Sequence, residues 1–275
     1  MDRKWANFLK NKGAWRGSFS TINLAGEVLD HTPSLLDLEP FDDDQGMRFR
    51  IRRFGATGYD GPPVSDYEQE YRYLGQQIIF FETGAFSKGT LIFAPYGDFG
   101  TEFGFVDRDR RLRMVALYDK EAKFDRGVLI REFRDGSGAP ERPALTVEQL
   151  LGVWEGEACT EYPDFRPPET IKTRLQLTQL DATTLEHQFS FGDRQWSSRS
   201  TIHGNTITME DSPRQITLLP DGGSLNCLSK LEHRQPFFVE VGWLFADGQR
   251  QRLIRNYDDR GSWVSSTLIQ ETKIS

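Results

Sequence analysis

Apolar and polar residues alternate with period two along most of the chain. Met47, Phe49 and Ile51 alternate with arginines, and Leu175 and Leu177 alternate with polar residues. A strand with one buried and one solvated face gives this pattern, because successive side chains point to opposite faces. Turn signals with Gly, Asn or Asp recur about every 8–12 residues, the spacing of short strands in antiparallel sandwiches and barrels. The pattern predicts an all-β fold.

The chain also contains an internal repeat. The Gly-x-Trp-x-Gly stretch around Trp15 reappears around Trp154, and at the same offset residues 111–115 align with 250–254. Glu132 then aligns with Glu271. Two pairs of matched segments at a single offset indicate two tandem copies of one fold.

A segment rich in Gly and Pro, residues 135–143, separates the two copies. Thr146 and Gln149 follow it with the spacing of a capping box, which predicts a short helix before the second Gly-x-Trp-x-Gly strand. Residues 5–12 are the corresponding helix of the first copy. The predicted domains are residues 1–138 and 145–275, each an antiparallel β-barrel opened by a short helix.

Composition excludes several classes of protein. The chain has 34 Lys and Arg against 41 Asp and Glu, a net charge of −7, whereas a nucleic-acid-binding protein needs a basic face. No apolar run is long enough to span a membrane, and no secretory signal is visible. Only Cys159 and Cys227 are present, so unpaired thiols and a cytoplasmic location are expected. The oligomeric state is left open.

The known catalytic and cofactor motifs are absent from the sequence. It has no phosphate-binding loop, no Gly-x-Ser-x-Gly elbow, no His-Glu-x-x-His and no Cys-x-x-Cys. The four histidines do not fall at metal-ligand spacing. We therefore name no catalytic residue, no metal and no cofactor.

One polar set occurs in both copies. In one interpretation, an Arg and a Glu lie inside a barrel and grip a carboxylate or protonate a substrate. In the other, the arginines cover the tryptophans and the acids balance their charge. The repetition favours the structural interpretation, because two unlike sites would rarely keep the same residues. The two sets are Arg111, Arg113, Tyr118 and Glu132, and Arg250, Arg252, Tyr257 and Glu271.

A short helix, a first strand with Gly-x-Trp, an antiparallel meander and a late Arg resemble the lipocalin (calycin) pattern. In lipocalins the Arg lies over the first-strand Trp, so the resemblance implies that Arg113 lies within about 6 Å of Trp15, and Arg252 within that distance of Trp154. Trp15, Arg113 and Trp154 are therefore expected to be structural. The implied fold is two tandem lipocalin-like barrels.

The whole chain resembles double lipocalin-like proteins of undetermined function, found mostly in cyanobacteria and plastid-bearing lineages. Residues 150–157, 236–243 and 250–257 carry this resemblance. Phycobilin lyases, which place bilins on phycobiliproteins, are similar at the level of fold. Residues 151–157 with Tyr162 and Pro163 also resemble the opening of nitrobindin-like haem barrels. Those proteins ligate iron through a His near the C-terminus, and residues 263–271 contain no His, so haem is not expected.

The second copy is the better candidate for holding a ligand. Its residues 237–245 place five large apolar side chains on one strand face. If that face looks inward, it forms one wall of a cavity, with Arg252 or Arg255 at the rim. If it packs against the first barrel, it forms an interface between the domains. The candidate ligand-binding residues are Trp196, Val239, Val241, Trp243, Arg252, Arg255, Tyr257 and Glu271.

Three functions are compatible with these patterns. The first is a binding protein for an apolar or amphipathic small molecule, such as a bilin or other tetrapyrrole, a carotenoid or a fatty-acid derivative. The second is an enzyme that uses the cavity as a mould, either a bilin lyase-like chaperone or a cyclase or isomerase. The third is a scaffold or assembly module with both barrels filled.

Overall fold

The computed structural model describes residues 2–164 and 166–275. In the N-terminal half, the elements are α1 (Arg3–Leu9), β1 (Gly13–Ile22), β2 (Thr32–Phe41), β3 (Gly46–Phe54), β4 (Pro63–Tyr71), β5 (Ile78–Phe80), β6 (Phe86–Gly89), β7 (Phe99–Asp107), β8 (Arg110–Tyr118) and β9 (Phe124–Arg134). In the C-terminal half, they are α2 (Val147–Leu150), β10 (Gly152–Glu161), β11 (Glu169–Gln179), β12 (Thr184–Phe191), β13 (Arg194–His203), β14 (Thr206–Met209), β15 (Arg214–Leu218), β16 (Gly223–Leu228), β17 (Phe237–Ala246), β18 (Gln249–Tyr257) and β19 (Trp263–Lys273).

Both halves are antiparallel sheets in which consecutive strands are neighbours, but the C-terminal sheet is closed and the N-terminal sheet is open. Strands β10 to β19 form a closed antiparallel barrel, in which each strand pairs with the next and β19 returns to β10. The N-terminal sheet has the order β4-β3-β2-β1-β9-β8-β7-β6-β5 and stays open between β4 and β5. The predicted all-β fold of two barrel-like units, each preceded by a short helix, is confirmed. The N-terminal unit is a curled open sheet rather than a closed barrel.

The Gly-x-Trp-x-Gly motif has the same physical basis in both halves. The first glycines have positive φ angles, 127° at Gly13 and 106° at Gly152, which residues with a side chain rarely adopt. A Cβ atom on Gly17 would lie 2.0 Å from the Arg131 carbonyl oxygen, and one on Gly156 would lie 2.0 Å from that of Gln270. These glycines let the first and last strands of each unit approach closely.

The tryptophans of the motif occupy equivalent buried positions. The indole N–H of Trp15 donates to the carbonyl of Asn11 at 2.9 Å, and that of Trp154 donates to the carbonyl of Leu150 at 2.8 Å. Each bond ties the first strand of a unit to the segment that precedes it. In the second copy that segment is α2, which has the predicted capping box between Thr146 and Gln149.

The two units share one apolar core. The outer face of β17 and β18 packs against β7 and β8, so that Phe105 lies 6.0 Å from Trp243 and Phe99 lies 5.4 Å from Phe237 between ring centroids. Val239 and Val241 are buried in the same cluster. Of the two placements that the sequence left open, the stripe on β17 therefore has the second, because it forms the interface and does not line the barrel cavity.

Backbone hydrogen bonds join the halves at the margins of this core. The Phe93 N–H donates to the Gly261 carbonyl at 2.7 Å, and the Trp263 N–H donates to the Leu91 carbonyl at 2.8 Å. The two cysteines are unpaired. In the described part of the chain, no helix has the length and apolar character needed to cross a membrane.

Replacing Trp243 with Ala should lower the free energy of unfolding by about 3–5 kcal/mol, because the ring is fully buried in the shared core. Trp196 is 51% exposed, so the same truncation there should cost about 1 kcal/mol or less. Chemical denaturation of the two variants measures both values. Equal losses would contradict the shared core.

Candidate functional site

The interior of the C-terminal barrel contains a cavity of about 420 Å³. Apolar side chains from most of the strands line it, and a smaller polar set includes charged side chains from β15, β17 and β18. The apolar lining includes Leu175, Leu177, Phe189, Ile216, Ile254 and Ile269, and the polar lining includes His187, Arg214, Asn226, Glu240, Arg250 and Arg252.

One end of the barrel is closed by α2 and the apolar side chains beneath it. Leu150 and Trp154 form a buried cluster there with Leu177, Leu218 and Leu244. At the exposed edge of the cavity stands Trp196, whose ring packs edge-on against Phe189 at 4.8 Å. The cavity is therefore a cup with an apolar floor and an aromatic side chain at its edge.

A buried ion-pair cluster lies beside the floor. The Glu271 carboxylate accepts hydrogen bonds from Arg252 at 2.6 and 3.1 Å and from Arg250 at 2.8 Å. Burial would raise the pKa of Glu271, but the charges and hydrogen bonds of the two arginines outweigh burial and lower it to about 2. Glu271 is therefore ionised at neutral pH and cannot donate a proton.

The N-terminal sheet contains the same cluster. Glu132 pairs with Arg111 at 2.9 Å and with Arg113 at 2.7 Å, and Arg113 also pairs with Glu102 at 2.8 Å. The Arg252 guanidinium likewise reaches Glu240 at 3.4 Å. The cluster therefore occurs in both units, whereas the cavity described above lies in the second, which favours a structural role for the cluster.

The arginines that cover the tryptophans are not the expected ones. The guanidinium of Arg250 lies 4.5 Å from the Trp154 ring centroid, and that of Arg134 lies 4.4 Å from the Trp15 ring centroid. Arg113 and Arg252 instead lie over phenylalanines, each at 5.5 Å. This corrects the expected Arg–Trp pairs. Arg252 lies on the same inner face of β18 as Arg250, but it is two residues farther along the strand, away from the Trp154 ring.

The candidate residues divide between two places. Trp196 and Arg252 line the cavity, and Glu271 lies beside it in the ion-pair cluster. The other five lie at the interface between the units. They are Val239, Val241, Trp243, Arg255 and Tyr257.

Arg255 and Tyr257 form a buried polar link across the interface. Arg255 donates to the Tyr257 hydroxyl at 2.8 Å, and that hydroxyl donates to the Thr90 carbonyl at 2.8 Å. The Arg255 guanidinium stacks 3.8 Å from the Trp263 ring centroid and also reaches the Gly89 carbonyl at 3.3 Å. Arg255 therefore holds the two units together and is fully buried away from the cavity.

Arg214 is a cavity residue that sequence reasoning missed. Its guanidinium lies 3.4 Å from the Phe238 ring centroid and donates to the Phe238 carbonyl at 2.8 Å and to Asn226 Oδ1 at 3.2 Å. Burial lowers the pKa of Arg214 to about 10, so it remains charged at neutral pH. No carboxylate of the described residues forms an ion pair with it. Arg214 lies on the same face of β15 as Ile216 and Leu218, and this period-two spacing is the sequence signal that could have placed it on the inner face.

His187 faces the same cavity from β12. Its Nε2 atom shares a hydrogen bond of 2.7 Å with the Ser200 hydroxyl. Burial lowers the pKa of His187 to about 4, so the imidazole is neutral at neutral pH. Glu240 also faces the cavity and its charge acts on Arg214, but Glu240 is paired with Arg252, so Arg214 is the cavity arginine that lies outside the ion pairs of the described residues. Residues 2–164 and 166–275 contain no cluster of three or more His, Cys, Asp or Glu side chains placed to hold a metal ion.

Comparisons with known proteins agree with this fold. Residues 1–137 match the N-terminal model of a domain of unknown function, DUF3598. A DUF3598 protein of unknown function from Nostoc punctiforme PCC 73102 has a solved structure, with 40% identity, 100% coverage of both chains and a TM-score of 0.92. The chain belongs to the DUF3598 family. The expected resemblance to a double-barrel family of undetermined function is confirmed.

Two further comparisons concern parts of this DUF3598 protein. Residues 141–274 match the model "Biogenesis factor required for ATP synthase 1, C-terminal domain". An S-type phycobiliprotein lyase from Guillardia theta aligns with 46% of the chain and 90% of its own length, at 11% identity and a TM-score of 0.38. At this identity and TM-score the likeness is distant. No curated protein matches the chain.

Replacing Glu271 with Gln should cost about 3–5 kcal/mol at neutral pH, because Arg250 and Arg252 would lose their buried counter-charge. The pKa of Glu271 falls from 4.5 in the unfolded chain to about 2 in the fold. Its stabilisation is therefore fully present above pH 4.5 and is lost as the pH falls through 2. The variant should lose that part of the pH dependence.

Unfolding free energies measured across this pH range test the prediction. Glu155→Gln is the control, since the Glu155–Arg174 pair is about half exposed and should contribute about 1 kcal/mol or less. An unchanged acid profile in Glu271→Gln would show that Glu271 is not the stabilising carboxylate.

Proposed function

We propose that the C-terminal barrel binds a small amphipathic carboxylic acid, with the apolar body in the cavity and the carboxylate on Arg214. The observation that carries the proposal is a guanidinium that faces a mainly apolar cavity and lies outside the ion pairs of the described residues. A partly buried guanidinium outside any ion pair loses hydration without gaining a counter-charge, and a ligand carboxylate would supply that counter-charge. Burial of the ligand's apolar body would add to the binding free energy.

The size and charge of the cavity favour one class of ligand. Small-molecule sites usually enclose about 300–1,000 Å³, and a cavity of about 420 Å³ lies in the lower part of that range. A single guanidinium outside the ion pairs of the described residues suits one carboxylate. A fatty-acid-like molecule meets both conditions better than a bilin, which carries two propionates, or a hydrocarbon carotenoid, which carries none.

The ionisation states favour binding over catalysis. A cyclase or isomerase that used the cavity as a mould would need a placed acid, and Glu271 is ionised at neutral pH. Arg252 is held by Glu271 and Glu240. These contacts favour a binding site over a catalytic one.

A fluorescent fatty acid should bind the protein, and Arg214→Met should weaken binding about tenfold or more, because a charge-assisted hydrogen bond contributes about 1.5–3 kcal/mol. Arg174→Met is the control, since Arg174 pairs with Glu155 on the exposed side of β11. Fluorescence titration measures the affinities. Absence of binding, or equal weakening by both substitutions, would contradict the carboxylate site.

A second function is favoured by the match of residues 141–274 to the ATP synthase biogenesis factor domain. We also propose that this DUF3598 protein takes part in the biogenesis of ATP synthase as an assembly factor. The shared core gives it the rigid two-unit body that a scaffold requires. This function does not exclude a ligand in the C-terminal barrel.

Deleting the gene in its native host should reduce the amount of assembled ATP synthase, and the intact gene should restore it. A gene carrying Arg214→Met separates the two proposals, because restoration by this variant would show that assembly does not need the carboxylate site. Native gel electrophoresis with an ATP hydrolysis stain measures the assembled enzyme. An unchanged amount in the deletion strain would overturn the assembly role.

A further inference from the structure

Strand β4 is exposed on both faces. Every residue from Pro63 to Glu70 is solvent-exposed, and only Tyr71, at its end, is partly covered. One edge of β4 pairs with β3 over its whole length, with Tyr71 opposite Met47 at one end and Pro63 opposite Phe54 at the other. In the described chain no strand pairs with the other edge of β4. The N–H and C=O groups along that edge are free to hydrogen-bond another strand.

In the C-terminal barrel, an additional strand closes the equivalent gap. There β14 pairs with β13 on one side and with β15 on the other, which completes the ring. In the described N-terminal half no strand lies between β4 and β5. The open edge is thus the place where the duplicated fold lacks a strand.

Charged side chains on the outer face of this sheet alternate in sign from strand to strand. Arg50 stands between Asp37 on β2 and Glu68 on β4, and Arg48 stands between Glu39 and Glu70. Contacts between the rows include Arg48–Glu70 at 3.1 Å and Arg50–Asp66 at 2.7 Å. The row on β4 is acidic and 37–50% exposed, so a basic row would continue the alternation. The three rows are Asp37 and Glu39, then Arg48, Arg50 and Arg52, then Asp66, Glu68 and Glu70.

The opposite face of β4 offers aromatic contacts. Tyr67 is 51% exposed, and its ring lies 6.4 Å from Phe49 on β3. Tyr71 contacts Phe49 at 6.2 Å and Phe8 of α1 at 6.4 Å. In an added strand every second side chain would point to this face and cover the two tyrosine rings. Apolar residues at these positions of the added strand would suit such contacts.

We propose that β4 is a docking edge for an extended basic segment of a partner protein, which adds to the N-terminal sheet as a strand. Lysine or arginine on one face of the segment meets Asp66, Glu68 and Glu70, and apolar side chains on the other face cover Tyr67 and Tyr71. A second copy of the chain is a poor occupant, because pairing β4 with β4 sets acid opposite acid. The proposal does not depend on the cavity.

The test uses a short peptide in which lysine alternates with valine. It should bind the full-length protein, and hydrogen exchange should show new protection of β4 amides. The double variant Glu68→Lys/Glu70→Lys should bind the peptide about tenfold more weakly, because it reverses two contacts. The control is Glu155→Lys/Glu157→Lys, which reverses two exposed glutamates on β10, a strand that is paired on both sides.

The control variant should bind the peptide like the unmodified protein, and a peptide in which glutamate alternates with valine should not bind. Thermal unfolding shows that both variants fold. Absence of binding, equal weakening in both variants, or binding without protection of β4 overturns the proposal. Protection of β4 that rises with protein concentration alone, together with a dimer in analytical ultracentrifugation, makes a second copy the occupant and also overturns it.

Discussion

The apolar layer between the two sheets is the contact on which the rest of the structure depends. Phe99, Phe103 and Phe105 from the N-terminal sheet meet Phe237 and Trp243 from the barrel, and all five side chains are buried. Buried aromatic side chains contribute several kcal/mol each, so this layer fixes the units against one another. Because the layer covers one face of each sheet, the concave faces are the faces of the sheets that it leaves for a ligand. On the N-terminal side that face is filled by α1 and its apolar neighbours, and on the C-terminal side the cavity remains.

Period-two alternation predicted the strands, matched segments at one offset predicted the two copies, and the capping-box spacing predicted the short helix of the second copy. The alternation could not decide which face of β17 looks into the barrel. An apolar stripe usually marks the inner face of an isolated barrel, whereas here the neighbouring unit makes the outer face the drier one. The true inner face carries Glu240 and Gly242, opposite Arg252. Of the candidate site, Trp196 and Arg252 line the cavity, whereas Arg214 was missed because its five-residue strand has no motif.

The buried Arg–Glu clusters explain why the strongest polar signal in the sequence is also the least specific to function. A buried carboxylate with two guanidinium partners is stable only when all three are present, so the cluster behaves as one structural unit. Its presence in both halves, at Glu132 and at Glu271, ties it to the shared fold. Features that distinguish the copies are better guides to function. They are Arg214 and the cavity on one side, and the open edge of β4 on the other.

The exposed edge of the cavity and the open strand edge lie at equivalent positions of the duplicated sheet. Across the strands, Trp15 is followed by Leu36, Ile51 and Tyr67, and Trp154 is followed by Leu175, Phe189 and Trp196. Tyr67 on β4 and Trp196 on β13 are therefore equivalent, and each is 51% exposed. In the closed barrel the aromatic ring stands at the edge of a cavity, where it can cover a small molecule. In the open sheet the equivalent ring lies beside a free strand edge, where it can contact an added strand. The same aromatic position therefore lies at a cavity edge where the sheet is closed, and at the proposed docking edge where the sheet is open.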